Sequence, residues 1–204
     1  MKQILDPFTR CGFGLAIALA CLLSTSHAQQ ANTTIRRNIA ALTDEASTVI
    51  HGRVISATVE PDPNFANLTT VLVSMSVQDV LKGSAEKTFT FRQFVWDFRE
   101  RSNAAAYVKG QEMLLFLRAP SRYGLTSTAG LQQGRFIVQR DATGKAVAIN
   151  GIGNQGLLDS LGQGARSRGV VLPSASQKIK SNTGNAVDLD SLKQIVRAFA
   201  GAGR

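Results

Sequence analysis

The chain has 204 residues, a formal net charge of +9 and 44% hydrophobic residues, with two cysteines and two histidines. Both cysteines lie within the first 28 residues, which read as a cleavable export signal, so the mature chain is expected to have neither disulfides nor thiol chemistry. One histidine then remains, which is too few for a zinc site of several histidine or cysteine ligands.

The export signal is predicted from three features of residues 1–28. Lys2 and Arg10 give a basic start, residues 12–23 form an apolar run, and Ser26-His27-Ala28 is a small-x-small cleavage site. The apolar run is shorter than the roughly 20 residues that a membrane-spanning helix needs. We therefore expect a periplasmic or secreted protein without a transmembrane span.

The predicted mature chain is strongly basic. Without residues 1–28 it has 21 Lys and Arg against 13 Asp and Glu, a net charge of +8. This excess favours anionic partners electrostatically but identifies none, and it also serves solubility. A length of about 175 residues suits one domain with tails.

The hydrophobic pattern predicts a mainly β domain over residues 34–158. Ile35, Ile39 and Leu42 recur at helical spacing and predict a short helix over residues 34–46. Alternating patterns and turn signals then follow without intervening helices, which favours a small closed antiparallel barrel of OB type, with a β-sandwich as the alternative. Strands are predicted over 48–59, 68–80, 87–94, 112–118, 134–139 and 145–150.

The chain changes character after residue 158. Residues 159–187 form a predicted flexible linker, basic and rich in Gly and Ser, which spaces its neighbours or attracts polyanions. Residues 188–204 are predicted to be a C-terminal helix and tail, capped by Asp188 or Asp190, with an apolar stripe. The stripe consists of Leu192, Ile195, Val196 and Phe199. The candidate polyanion contacts in the linker are Arg166, Arg168, Lys178 and Lys180.

Several strings in chain order resemble a family of uncharacterised exported bacterial β-barrel proteins. They are "STVIHGRVISATV", "VQDVLKG", "FTFRQF", "GQEMLLFL", "GLTSTAGLQQGRFIV" and "DATGK", within residues 39–158. The first strand and the following "LKG" are also similar to the start of netrin-like and TIMP-like OB-fold domains. That likeness implies a binding or inhibitory module, but the inhibitory cysteine of the metalloproteinase inhibitors has no counterpart in the mature chain.

The stretch "FTFRQFVWDFRER", residues 89–101, combines five aromatic side chains with arginines. Phe89, Phe91 and Phe94 are interpreted as core, and a bulge at Arg92-Gln93 would bring all five aromatics to one face. Without the bulge, the end of the stretch would present aromatic and basic side chains that stack on bases or sugars. The candidate ligand surface comprises Arg92, Trp96, Phe98, Arg99 and Arg101.

The patterns favour no catalytic, cofactor or metal site. His51 lies inside the first strand with no nucleophile motif to pair with it, so a structural role is the better interpretation. Residues 151–156 match GxGxxG but lack the βαβ context of a dinucleotide site, and are interpreted as a turn. We expect a non-enzymatic binding module whose partner is an exported protein, with a protease as one candidate. The alternatives are a binder of anionic polymers or surfaces, and an enzyme of unknown class.

Overall fold

A computed structural model describes residues 35–95, 104–174 and 186–202 as a mainly β structure with one seven-stranded antiparallel sheet and three helices. The predicted signal peptide lies outside the described residues. The strands are β1 (Thr48–Pro61), β2 (Thr69–Lys82), β3 (Thr88–Phe94), β4 (Glu112–Leu117), β5 (Arg135–Arg140), β6 (Ala146–Asn150) and β7 (Val187–Asp188).

The six strands predicted from alternation are confirmed, each within a few residues of its expected ends. β7 was not predicted, because two residues are too few to show a period. The strand order across the sheet is β3-β2-β1-β4-β5-β6-β7, and every neighbouring pair is antiparallel. All seven strands therefore belong to one sheet and not to the two facing sheets of a sandwich.

The sheet is open, so the closed barrel is not confirmed. β3 and β7 form its two edges, and no ladder between described strands joins them. Two isolated bridges nevertheless link the loop between β4 and β5 to the rest of the sheet. Leu125 bridges Arg92 of β3 in parallel, and Thr128 bridges Leu117 of β4 in antiparallel fashion.

β1 and β4, which are neighbours inside the sheet, carry core side chains on both faces, as predicted for β1. Val49 and Phe116 pack in a core with the helices, whereas Ile50 and Leu115 pack in a second core on the opposite face. β1 contributes to both cores because successive side chains of a strand point to opposite faces of the sheet. Its register against β2 also shifts at three points, the middle one between His51 and Gly52. Alternating side chains of one strand thereby stabilise both layers.

The first helix, α1 (Ile39–Glu45), is shorter than predicted. Asn38 caps it, since its Oδ1 accepts a hydrogen bond from the Ala41 N–H at 3.0 Å. Ile35 lies before this cap and is 76% exposed, so its place in the predicted apolar stripe is wrong. Ile39 and Leu42 are fully buried, as expected.

The second helix, α2 (Leu161–Ser167), lies in the segment predicted to be a linker. Ala165 is buried in the core on the helical face, and Leu161 packs against that core. The first part of the segment is therefore folded onto the domain, while residues 175–185 lie outside the described residues.

The C-terminal helix, α3 (Leu189–Ala202), buries the apolar stripe predicted for it. Of the two candidate caps, Asp188 is the one used, because its Oδ1 accepts from the Ser191 N–H at 2.9 Å. Lys193 and Arg197 tie the helix to β2 through Asp79 Oδ2, at 2.9 and 2.5 Å. Burial opposes ionisation of Asp79, but these two hydrogen bonds outweigh it and hold the pKa of the carboxyl below 3.8.

β3 pairs with β2 without a register shift, so the bulge considered at Arg92-Gln93 is absent. Phe91 is buried in the second core, and Phe89 packs against that core while remaining partly exposed. Phe94 has the opposite parity and is half-buried, so its assignment to the core is only partly right.

Candidate ligand-binding face

The loop between β4 and β5, residues 118–134, surrounds a cavity of about 470 Å³ beside the end of β3. This volume is within the range of small-ligand sites. The side chains around it are mostly polar, with two arginines among them. The lining residues are Gln93, Phe94, Arg118, Ser121, Leu125, Thr126, Ser127, Thr128, Leu131, Gln132 and Arg135.

Backbone hydrogen bonds hold this loop against the sheet. The Thr126 N–H donates to the Arg92 carbonyl at 2.7 Å, the Arg118 N–H to Ser127 at 2.9 Å, and the Ala129 N–H to Phe116 at 2.8 Å. The loop is thus fixed to two strands before any ligand binds.

Gln133 fixes the far end of the loop to the segment that precedes α1. Its buried Oε1 accepts from the Arg37 N–H at 2.7 Å, and its Nε2 donates to the Ile35 carbonyl at 3.2 Å. Gly134 is equally constrained, since a Cβ there would come within 2.3 Å of the Ala129 carbonyl oxygen. The cavity wall is therefore set by close backbone packing.

A chain of polar contacts positions one side of the cavity. The Arg135 guanidinium donates to the Ala105 carbonyl and lies over the Tyr107 ring, 5.2 Å from its centroid. The Tyr107 hydroxyl donates to Gln93 Oε1 at 2.9 Å. This contact directs the amide oxygen of Gln93 to Tyr107, so its Nε2 is the group that can donate to a ligand.

Two exposed apolar side chains, Tyr123 and Leu131, belong to the loop that lines the cavity, and a third, Phe65, packs against Tyr123. Phe65 and Tyr123 are 45% and 48% exposed and meet edge to face, with centroids 5.4 Å apart. Arg122 lies over the Tyr123 ring at 4.6 Å, and Leu131, which lines the cavity, is 53% exposed. We call Phe65, Tyr123 and Leu131 the apolar rim.

Only one residue of the candidate ligand surface in the aromatic stretch is described. Arg92 is partly buried and donates to Thr70 Oγ1 at 2.8 Å and to Glu60 Oε1 at 2.7 Å. Two of the five N–H donors of its guanidinium are therefore already used within the sheet. The other four residues, Trp96, Phe98, Arg99 and Arg101, lie outside the described residues.

Two of the four candidate polyanion contacts are described. Arg166 is exposed on α2, whereas Arg168 pairs with Asp44 Oδ2 at 2.7 Å and lies 5.7 Å from the centroid of the Phe199 ring. Arg168 thus joins the end of α2 to α1 and α3. Lys178 and Lys180 lie outside the described residues, and polyanion binding by this set stays a prediction.

His51 is buried in β1 beside α3. Its Nε2 lies 2.9 Å from Glu112 Oε1, while its Nδ1 is buried without a hydrogen-bond partner. Burial lowers the pKa of His51 below 6.5, and the charge of Lys193 lowers it further, against the opposing effect of Glu112. In the neutral imidazole this contact places the proton on Nε2, since the Glu112 carboxylate can only accept, and a structural role for His51 stays a prediction.

Stability is expected to fall as the pH drops below 6.5 because of His51. Its pKa is lower in the folded than in the unfolded state, so below 6.5 the unfolded state binds more protons. Urea unfolding at pH 7.5 and 5.5 should show a larger loss of free energy in the wild type than in His51→Gln, which does not titrate. Equal losses in the two proteins would contradict this assignment.

The resemblance strings contain most of the cavity lining, although the sequence-based candidate surface lay elsewhere. "GLTSTAGLQQGRFIV", residues 124–138, supplies seven of the eleven lining residues. The unusual composition of this string was the one feature of the sequence that could have marked the segment as part of a site. Phe65 and Tyr123 had no such signal, because nothing in a sequence shows that two distant loops meet.

The described ranges contain no group of three or more His, Cys, Asp or Glu residues placed to hold a metal ion. Within the same ranges, no helix has the length and apolarity required to cross a bilayer.

Residues 151–160 form successive turns between β6 and α2, in agreement with the interpretation of the GxGxxG match as a turn. Comparison with known protein families, curated proteins and solved structures finds no match for this chain.

Proposed function

We propose that this chain is an exported, non-enzymatic module that binds a protein partner through the face formed by the cavity and the apolar rim. The observation that carries the proposal is the exposed pair of Phe65 and Tyr123, the latter on the loop that lines a concave site. Aromatic residues and arginine are enriched where protein interfaces concentrate their binding energy, and Arg122 adds an arginine to this pair.

The architecture proposed for the module is OB-like. Two isolated bridges and two backbone hydrogen bonds join residues 118–129 to β3 and β4. This loop would take the place of the strand that completes an OB barrel. Loops of such barrels commonly carry ligands, which agrees with the position of the cavity.

Export and family membership are part of the same proposal. The signal-like residues 1–28 support delivery to the periplasm or outside, and the strings within residues 39–158 support membership of the exported bacterial family they resemble. An inhibitory role is the narrower version of the hypothesis, with an exported protease as the partner.

Loss of the aromatic pair is expected to abolish partner capture. Immobilised mature chain (residues 29–204) should retain a protein from the host's exported fraction at 0.5 M salt, about the ionic strength at which surface electrostatics are largely screened. The double variant Phe65→Ala/Tyr123→Ala should retain at least about tenfold less, as expected for interface hot spots. Quantitative mass spectrometry of the eluates measures the difference.

The matched control removes two other exposed apolar side chains, Ile55 and Val171, which are 42% and 88% exposed. Ile55→Ala/Val171→Ala should capture the partner as the wild type does. Equal capture by wild type and Phe65→Ala/Tyr123→Ala would exclude this face as the binding surface.

Binding of anionic polymers is the second candidate, favoured by the net charge of +8 after signal removal. Counterion release makes such binding fall steeply as salt rises. Heparin binding that disappears between 0.05 and 0.2 M salt, about a thousandfold loss for a multi-contact polyanion site, would support it. A heparin affinity unaffected by salt would contradict it.

A further inference from the structure

We infer that the cavity binds a carboxylate of an acidic segment in the partner, while the apolar rim binds that segment's flanking apolar side chains. The inference rests on the proposed function and deepens it by naming the chemistry of the partner. It follows from the charge of the lining, the state of its two arginines and the apolar side chains next to them.

The lining is complementary to an anion. Two of the eleven lining residues, Arg118 and Arg135, are cationic, and none is Asp or Glu. The other polar members are Gln93, Gln132, Ser121, Thr126, Ser127 and Thr128, all side chains with a donor group. The Thr128 hydroxyl already donates to the Leu131 carbonyl at 2.7 Å, which leaves the other five as donors for a ligand oxygen. An anion entering the cavity would thus meet donors on several sides, and the lining itself contributes no carboxylate.

Arg135 is held in place before a ligand arrives. One guanidinium nitrogen donates to the Ala105 carbonyl, and the Tyr107 ring lies against the guanidinium plane at 5.2 Å. A guanidinium has five N–H donors in a rigid fork, so this single hydrogen bond leaves donors for a ligand. Fixing the side chain in advance also reduces the entropy lost on binding.

Arg118, the second arginine of the lining, is less constrained than Arg135. Its side chain is 54% exposed, and its nearest carboxylate oxygen, Glu45 Oε2, is 3.9 Å away. That distance exceeds the 2.7–2.9 Å of a charge-assisted hydrogen bond. The other oxygen of Glu45 accepts from Arg37, and Oε2 is buried without a hydrogen-bond partner, so Arg118 is near Glu45 but donates no hydrogen bond to it. Arg118 can therefore turn to a ligand carboxylate, which guanidinium groups bind in bidentate geometry.

The apolar rim favours an acidic peptide over a sulfated or phosphorylated polymer as the source of the negative charge. A sulfated or phosphorylated polymer presents little apolar surface, and it would leave Phe65, Tyr123 and Leu131 in water. A peptide that has an acidic residue next to leucine or an aromatic residue would occupy both parts of the face, and burial of apolar area would add to the ion pair. The combination favours an acidic, partly apolar peptide.

Selection from a random 12-residue peptide library displayed on phage tests the inference with a defined probe. On the immobilised wild type, the selected peptides should be enriched in Asp or Glu adjacent to Leu, Phe, Tyr or Trp. On Arg118→Ala/Arg135→Ala the acidic enrichment should disappear. Arg135 also contacts Tyr107, so its replacement could disturb the fold. The variant Arg118→Gln therefore changes the exposed arginine alone.

Fluorescence anisotropy then compares the affinity of the best selected peptide with that of a version that has Gln in place of its acidic residue. Either change, on the peptide or at Arg118, should weaken binding about tenfold or more, as for hydrogen bonds to a charged group. The matched control Arg140→Ala removes an exposed arginine outside this cavity and should leave the affinity unchanged.

The outcomes separate this inference from the proposed function. Selection of apolar peptides without acidic residues, with affinity lost in Phe65→Ala/Tyr123→Ala but not in Arg118→Gln, would overturn the carboxylate site and leave protein binding in place. Failure to select any peptide, together with salt-sensitive heparin binding, would overturn both. An equal loss of affinity in Arg140→Ala would mean general attraction to positive charge and would also overturn the site.

Discussion

Replacement of Phe116 by alanine is expected to lower the free energy of unfolding by about 3–5 kcal/mol, the usual cost of deleting a buried aromatic ring. Phe116 is completely buried in the core between the sheet and the helices, and its ring lies 5.6 Å from that of Phe136. Close packing on all sides leaves no group free to fill the vacated space. Urea unfolding followed by circular dichroism measures the loss.

The control for this prediction is a phenylalanine at the apolar rim. Phe65 is 45% exposed, so Phe65→Ala should change the free energy of unfolding by no more than about 1 kcal/mol. The two variants separate a ring that maintains the fold from one that is available to a partner. A cost for Phe65→Ala equal to that for Phe116→Ala would show that the rim is structural, which would weaken the proposed function.

Replacement of Gly52 by alanine is expected to cost about 3 kcal/mol or more, at the upper end of overpacking effects. A Cβ at this position would lie 2.2 Å from the Ser76 carbonyl oxygen of β2, and 3.2 Å from the Val77 Cα. The obstructing atoms belong to the backbone, so no side-chain rotation relieves the contact. Relief of the contact would require β1 and β2 to move apart at the register shift between His51 and Gly52.

Gly201→Ala provides the comparison, because no atom lies within 4 Å of a Cβ built at this position in α3. Alanine favours helix over glycine, so this variant should be as stable as the wild type or up to about 1 kcal/mol more stable. Thermal unfolding of both variants gives the result. A Gly52→Ala protein as stable as the wild type would mean that β1 and β2 do not approach so closely.

Local patterns predicted the elements well because each depends on nearby residues. Alternation of apolar and polar side chains placed β1 to β6, and the stripe of α3 identified the face that it buries. Capping chemistry limited the start of α3 to two aspartates. The short β7 and the start of α1 were missed or misplaced, since neither has enough residues for a clear period.

The candidate site could not be located in this way, because its parts are distant in the chain. Gln93 and Arg135 reach the same cavity only after β4 has paired with β1 and the following loop has bonded to β3. Arg92 was predicted from the sequence as a ligand contact, and in the structure its guanidinium donates hydrogen bonds to Thr70 and Glu60 of the same domain. Whether an arginine is free for a ligand depends on neighbours that sequence spacing does not reveal.

Composition and short-range periodicity suffice to predict the six longer strands, the buried stripe of α3, the absence of cysteine after residue 28 and the positive charge. The open sheet, the cavity lined by the loop of residues 118–134 and the contact of Phe65 with Tyr123 become visible in the folded chain alone. These features depend on long-range strand pairing, which sets the loops that become neighbours and on which binding residues are commonly found.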